Sequence, residues 1–137
     1  MQDNEARSQY DLAGEVIGLA MKVHRFLGSG FLEIVYKKSL QHELLKSGFR
    51  ATFETPIKVV YDGVIVGDYV ADLVVNDELI VEVKAAQMLT KIHEAQLVNY
   101  LKATGKNEGL LLNFGAQSLE FKKKFRAAKQ TPPDLRA

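Results

Sequence analysis

The 137-residue chain contains no cysteine, which excludes disulfides, zinc–thiolate centres and iron–sulfur clusters. It has no apolar run approaching the roughly 20 residues that a transmembrane helix needs. Its first ten residues, "MQDNEARSQY", are polar and of mixed charge, so no secretory leader is expected, and a cytoplasmic location is the default expectation. Excess charge is also missing. Eighteen basic and seventeen acidic residues leave a net charge of +1, too little for a strong global field towards nucleic acid. There is no internal repeat and no low-complexity segment. With 47% hydrophobic and 26% charged residues, the composition is that of an ordinary soluble globular chain, long enough for one compact domain with a sizeable core.

Helical and strand periods divide the chain cleanly. Residues 11–27 carry Val16, Leu19, Ala20, Val23, Phe26 and Leu27 at helical spacing, with Asp11 able to cap the start. "GSG" (28–30) breaks that helix, and a second is expected from about Phe31 to Ser47, capped by Ser29 and closed by Gly48. The period then changes to two. A three-strand antiparallel meander is expected over about 49–85, with Asp62-Gly63 as its first hairpin turn and "NDE" (76–78) as its second. Thr90 can cap a crossover helix over about 90–104 that ends before Gly105. "GLLLNF" (109–114) is a further strand, and its arrival after a helical crossover predicts parallel pairing. The basic stretch "KKKFRAAK" (122–129) reads as a solvated face, and 129–137 as a flexible tail. The fold class is therefore α/β, a mixed sheet with helices packed on it and two helices before the first strand. One domain is expected over 1–137, with its core at about 11–125.

The hairpin "ADLVVNDELIVEVKA" (71–85) poses a chemical problem, because Asp72, Glu82 and Lys84 interrupt runs that should be central in a core. If its turn is the three residues Asn76, Asp77 and Glu78, Val75 faces Leu79, Val74 faces Ile80, and Asp72 falls opposite Glu82. Side chains on one strand face would then bring the two β-carbons about 4.5–5.5 Å apart, with Val70 and Lys84 as the next pair on that face. A two-residue turn would instead set Asp72 against Val81. Two like charges opposed and partly desolvated are destabilising, so Asp72→Asn is expected to stabilise the cation-free protein. A divalent cation would offset the repulsion, and hard oxygen ligands suit Mg²⁺ or Mn²⁺. The bland alternative is that "VEVK" is the wet face of an antiparallel strand. Glu33 with Tyr36 one turn on, and Gln96 with Tyr100 and His93 on one helix face, are further candidates. His24 and His42 read as ordinary helix histidines, His24 being the nearer to a site edge.

Taken together, these pieces resemble the PD-(D/E)XK nuclease superfamily, with its restriction-endonuclease-like core. Within that superfamily the chain is most similar to the GxxExxY family. Gly30, Glu33 and Tyr36 in "GFLEIVY" supply the naming motif, and "VHRFLGSGFLEIVYKKSL" and "HEAQLVNYLKATG" match in order. The resemblance spans about 11–125. It implies that Asp72 is the motif aspartate, that Glu82 and Lys84 form the "ExK" pair, and that Glu33 is the acid of the first core helix. Gln96 and Tyr100 match the QxxxY helix motif of the RecB-type and lambda-exonuclease-like branch. Ala71 stands where a proline commonly precedes the aspartate, and with no cysteine the iron–sulfur cluster of some relatives is not implied.

The function implied is a Mg²⁺- or Mn²⁺-dependent nuclease acting on DNA, with repair, recombination or defence as settings. Asp72, Glu82 and the Val83 carbonyl would hold the metal, with Glu33 acting through water or on a second ion. Lys84 would position the attacking water or face developing charge, and Gln96 and Tyr100 would bond to the site or the phosphate backbone. RNA is the alternative substrate, a homodimer is compatible with the fold, and no membrane partner is expected. Two readings from other classes stand beside it: a catalytically silent module that binds nucleic acid or protein, and a structural interaction protein that binds no cation.

Overall fold

The computed structural model describes residues 10–126. The expected tail at 129–137 lies outside the described residues, as do the first nine. Two helices, α1 (Leu12–Leu27) and α2 (Glu33–Lys46), come first. A five-stranded sheet follows, built from β1 (Ala51–Tyr61), β2 (Val64–Val75), β3 (Leu79–Lys84), β4 (Glu108–Asn113) and β5 (Glu120–Phe125). Helix α3 (Lys91–Thr104) crosses over between β3 and β4. The spatial order is β1-β2-β3-β4-β5, all neighbours antiparallel except β3 with β4. The mixed α/β architecture and the parallel pair after the crossover agree with the sequence expectation. None of the described helices is long and apolar enough to cross a membrane.

Alternation along the strands decides what each layer buries. Leu73, Val75, Leu79, Val81, Val83, Leu110 and Leu112 pack with α1 and α2 through Val16, Ala20, Tyr36, Leu40 and Leu44. Val74, Ile80 and Leu111 face the other way, onto Leu97, Tyr100 and Leu101 of α3. The sheet is thus covered on both faces, which is why β3 and β4 read as continuous apolar runs. Leu97 lies so close to β4 that a β-carbon on Gly109 would stand 2.7 Å from it, so Gly109 sets the approach of α3. Nearer the first turn, Val60, Tyr61, Val64, Ile65 and Val66 are exposed on both strands of the β1–β2 hairpin.

Local chemistry explains most of the boundaries. Asp11 caps α1 by accepting from the Gly14 N–H at 2.9 Å. Thr90 caps α3, and His93 completes a capping box by accepting the Thr90 N–H at 3.1 Å. Asp62 and Gly63 both adopt positive φ (52° and 76°), as the tight two-residue hairpin turn demands.

Two boundaries differ from expectation. Ser29 does not cap α2; that helix starts at Glu33 with Leu32 at its N-cap and no side-chain bond there. The linker before it is held instead by Tyr36, whose hydroxyl donates to the Gly28 carbonyl at 2.6 Å and accepts from the Phe31 N–H at 3.1 Å. The basic stretch is not only a solvated face, since Glu120–Phe125 forms β5 and pairs along β4. Its lysines suit an edge strand, where charge discourages pairing with another chain.

Candidate active site

The expected register is present, with Val75 opposite Leu79, Val74 opposite Ile80 and Leu73 opposite Val81. There the β2–β3 ladder stops, one pair short of Asp72 and Glu82. Across the other edge of β2, Glu54 and Asp72 are likewise missing between the pairs Phe53–Leu73 and Thr55–Ala71, and Glu54 adopts φ +53°. The backbone around Asp72 is therefore released from regular pairing on both sides.

Side chains fill the gap. The Asp72 N–H donates to Oε2 of Glu82 at 2.8 Å, and the Val83 N–H donates to Oδ2 of Asp72 at 2.8 Å. Each carboxylate accepts a main-chain N–H of the opposite strand. The two strands are thus joined through side chains just where their regular pairing has ended. Oδ1 of Asp72 is met from α2 by the Lys37 ammonium at 3.2 Å, and Lys37 also reaches Oε2 of Glu54 at 3.3 Å. Its charge lies 5.1 Å from the centre of the Phe53 ring. Asp72 is thus ion-paired, so its charge is not left uncompensated, as the expectation for Asp72→Asn had assumed.

Glu82 is only 4% exposed. Burial pushes its carboxyl pKa up, and the Asp72 charge adds to this; the Asp72 N–H bond and the Lys84 and Lys37 ammoniums oppose it, and the result is about 8. Lys37 is pulled down by burial, but its two carboxylate partners more than offset this and leave its pKa raised. Lys84 is half-buried, follows Glu82 by two along β3, and makes no ion pair among the described residues. On α3, Tyr100 is buried 5.7 Å from the Tyr69 ring. Burial and the charges of Glu82 and Asp72 raise its hydroxyl pKa, so it stays a donor at neutral pH. Gln96, one turn before Tyr100, is half-buried. Glu33 is exposed in the first turn of α2, one turn before Lys37.

Asp72, Glu82 and Val83 are brought together. Among the described residues, no group of three or more His, Cys, Asp and Glu side chains stands ready to hold a metal, so Glu33 is not gathered into one with them. The donor set still suits a hard cation. Both carboxylates are bonded across the strands past the last rung of the β2–β3 ladder, and the Val83 carbonyl, in an extended strand, points to the same side as its N–H. Mg²⁺ is commonly held by one or two carboxylates with water completing its shell.

Sequence reasoning missed two residues here. Lys37 could have been found, because it falls in the buried stripe of α2 with Tyr36, Leu40 and Leu44, where an ammonium requires an anionic partner. Asn113 is fully buried; its Oδ1 accepts from Ala86 at 2.9 Å and Gly115 at 3.0 Å, and its Nδ2 donates to Glu120 at 3.1 Å. Those bonds hold the segment that follows Lys84, and nothing local in "LLLNFG" announces them. His24 takes a structural place, buried against Phe114 with Nε2 3.0 Å from the Ala116 carbonyl.

A restriction-endonuclease-like α/β core with a buried Glu82 bonded to a part-buried Asp72, beside a lysine, defines the class. A model of the PD-(D/E)XK nuclease superfamily matches residues 10–125, and the chain belongs to that superfamily. Among solved structures, the crystal structure of SSO0001 shares its fold at a TM-score of 0.51 and 21% identity, covering 69% of this chain. The chain spans 50% of the length of SSO0001. An alkaline exonuclease (LHK-Exo) from Laribacter hongkongensis is similar at a TM-score of 0.48 and 12% identity, over 90% of this chain and 75% of its own. No curated protein matches the chain.

Proposed function

We propose that the chain is a divalent-metal-dependent nuclease that hydrolyses phosphodiester bonds in DNA and acts as a single domain. The observation that carries this reading is the reciprocal bonding of Asp72 and Glu82 beside Lys84, in a member of a nuclease superfamily. Within that superfamily we assign the chain to the GxxExxY group. The Tyr36 clasp on Gly28 and Phe31 is a structural role for the tyrosine of that motif and supports the assignment.

Asp72, Glu82 and the Val83 carbonyl would hold Mg²⁺ or Mn²⁺, with Glu33 acting through water. When bound, such an ion supplies Lewis-acid stabilisation of a scissile phosphate and acidifies a water at neutral pH. Lys84 cannot ligate while charged, so its ammonium orients the attacking water or faces the negative charge that develops on the phosphate. Tyr100, kept protonated, and Gln96 donate to phosphate oxygens, which positions a strand without reading its sequence.

A second reading, a silent binding module on the same fold, is favoured by one observation: the Lys37 ammonium already neutralises Asp72. Incubation with single-stranded, double-stranded and branched DNA and with RNA, in Mg²⁺ or Mn²⁺, tests the two. Metal-dependent cleavage that Glu82→Ala abolishes supports the nuclease. Metal binding by calorimetry with no cleavage of any substrate supports the module.

A further inference from the structure

We propose that Lys37 is a resident cation that competes with a divalent ion for Asp72 and thereby sets the metal affinity of the site. This deepens the reading of Asp72 and Glu82 as metal ligands and rests on it. Lys37 is 8% exposed, and its ammonium contacts Oδ1 of Asp72 at 3.2 Å and Oε2 of Glu54 at 3.3 Å. The chain thus provides from α2 a positive charge of the kind that a metal would bring to the same carboxylate. The part-buried Asp72 carboxylate needs such a charge beside the buried Glu82, and Lys37 supplies it.

Two effects of Lys37 on a metal oppose each other. Its ion pair could help to hold the Asp72 carboxylate in a ligating orientation. Its charge repels a second cation at the same oxygens and reduces the negative charge on offer. The first effect is largely redundant, since Oδ2 of Asp72 is already fixed by the Val83 N–H at 2.8 Å and the Asp72 backbone is anchored on Glu82. The second has no substitute among the other contacts of Asp72. Repulsion therefore outweighs positioning, and loss of the ammonium tightens metal binding. Lys37→Arg keeps the charge and should leave affinity near that of the parent.

The test is calorimetric titration of the whole chain with Mn²⁺ and with Mg²⁺, beside melting of the metal-free proteins. Lys37→Met should bind at least tenfold more tightly, about 1.4 kcal/mol, while its metal-free form melts lower. Lys37→Arg should stay within a few-fold of the parent. If Lys37→Met does not fold, Lys37→Gln is titrated in its place, with the same direction expected. Unchanged or weaker affinity in the folded variant, with the parent binding normally, overturns the inference and leaves the metal site standing. No binding by parent or variant overturns the metal site and the inference with it. Binding by the variant alone supports the inference in its strongest form.

Discussion

The main-chain N–H of Asp72 donates to the Glu82 carboxylate at 2.8 Å, just past Leu73–Val81, the last pair of the β2–β3 ladder. The bond favours an ionised Glu82, yet burial and the Asp72 charge outweigh it and hold the pKa at about 8, against an ordinary value of 4.5. Between those two values the folded protein keeps a proton that the unfolded chain releases. This group's contribution to stability is therefore fully present below about pH 4.5 and is lost as pH rises through about 8. Glu82→Gln keeps an oxygen for the Asp72 N–H and removes the titration. The metal-free variant should match the parent near pH 5 and exceed it near pH 8 by on the order of a few kcal/mol. Urea unfolding across that range reads the difference, and parallel pH profiles for the two proteins would refute the assignment.

Asp72→Asn is expected to act in the opposite sense to a simple relief of charge. The substitution leaves the Lys37 ammonium buried with only the exposed Glu54 as partner, and it weakens the bond that the Val83 N–H donates. Breaking one side of a partly buried pair costs about 1–3 kcal/mol. The metal-free variant should melt several degrees below the parent. It should also lose most of the thermal gain that Mn²⁺ confers on the parent, since a ligand of the folded state stabilises it by mass action. A variant as stable as the parent, with the same response to Mn²⁺, would contradict both roles of Asp72.

Tyr36 joins two parts of the fold that the sequence separates widely. Its ring stacks on Phe114 with centroids 4.7 Å apart, while its hydroxyl bridges Gly28 and Phe31. Tyr36→Phe retains the stack and removes two part-buried hydrogen bonds, to the Gly28 carbonyl and from the Phe31 N–H, each worth about 0.5–1.5 kcal/mol. Hydrogen exchange should rise at Phe31 while Leu110 and Leu112 stay protected. Unaltered exchange at Phe31 would show that the clasp is not what orders the linker.

What was legible in the sequence was what local chemistry controls. Asp62-Gly63, the three-residue turn at 76–78, the Asp11 and Thr90 caps and the parallel return of β4 each follow from a few neighbouring residues. The turn length alone fixed the register that brings Asp72 towards Glu82. Three features resisted because their causes are tertiary. Strand β5 carries three consecutive lysines and exists because β4 offers it an edge. Helix α2 begins without a side-chain cap because Tyr36 orders the chain before it from within the helix. Lys37 is separated from Asp72 by 35 residues, and only packing of α2 on the sheet makes them partners.

Lys84 and Glu82 stand two apart on β3, yet their substitutions should separate binding from chemistry. Glu82 is bonded to the Asp72 backbone and offers oxygen, so Glu82→Ala should abolish both metal binding and cleavage. Lys84 carries three N–H donors and no lone pair while charged, so it cannot contribute to the coordination shell. Lys84→Ala removes a positive charge from beside the carboxylates, which should leave metal affinity equal or somewhat tighter. Loss of one positioned donor at a developing oxyanion costs roughly 10²–10³ in kcat. The expected pattern for Lys84→Ala is therefore intact calorimetric binding of Mn²⁺ with cleavage of DNA reduced by about that factor. Gln96→Ala should bind metal normally and retain part of the activity, as expected of a donor assigned to substrate rather than to the metal. If Lys84→Ala cleaves as fast as the parent, Lys84 is a solvated strand residue, and the role given to it falls while the carboxylate site remains.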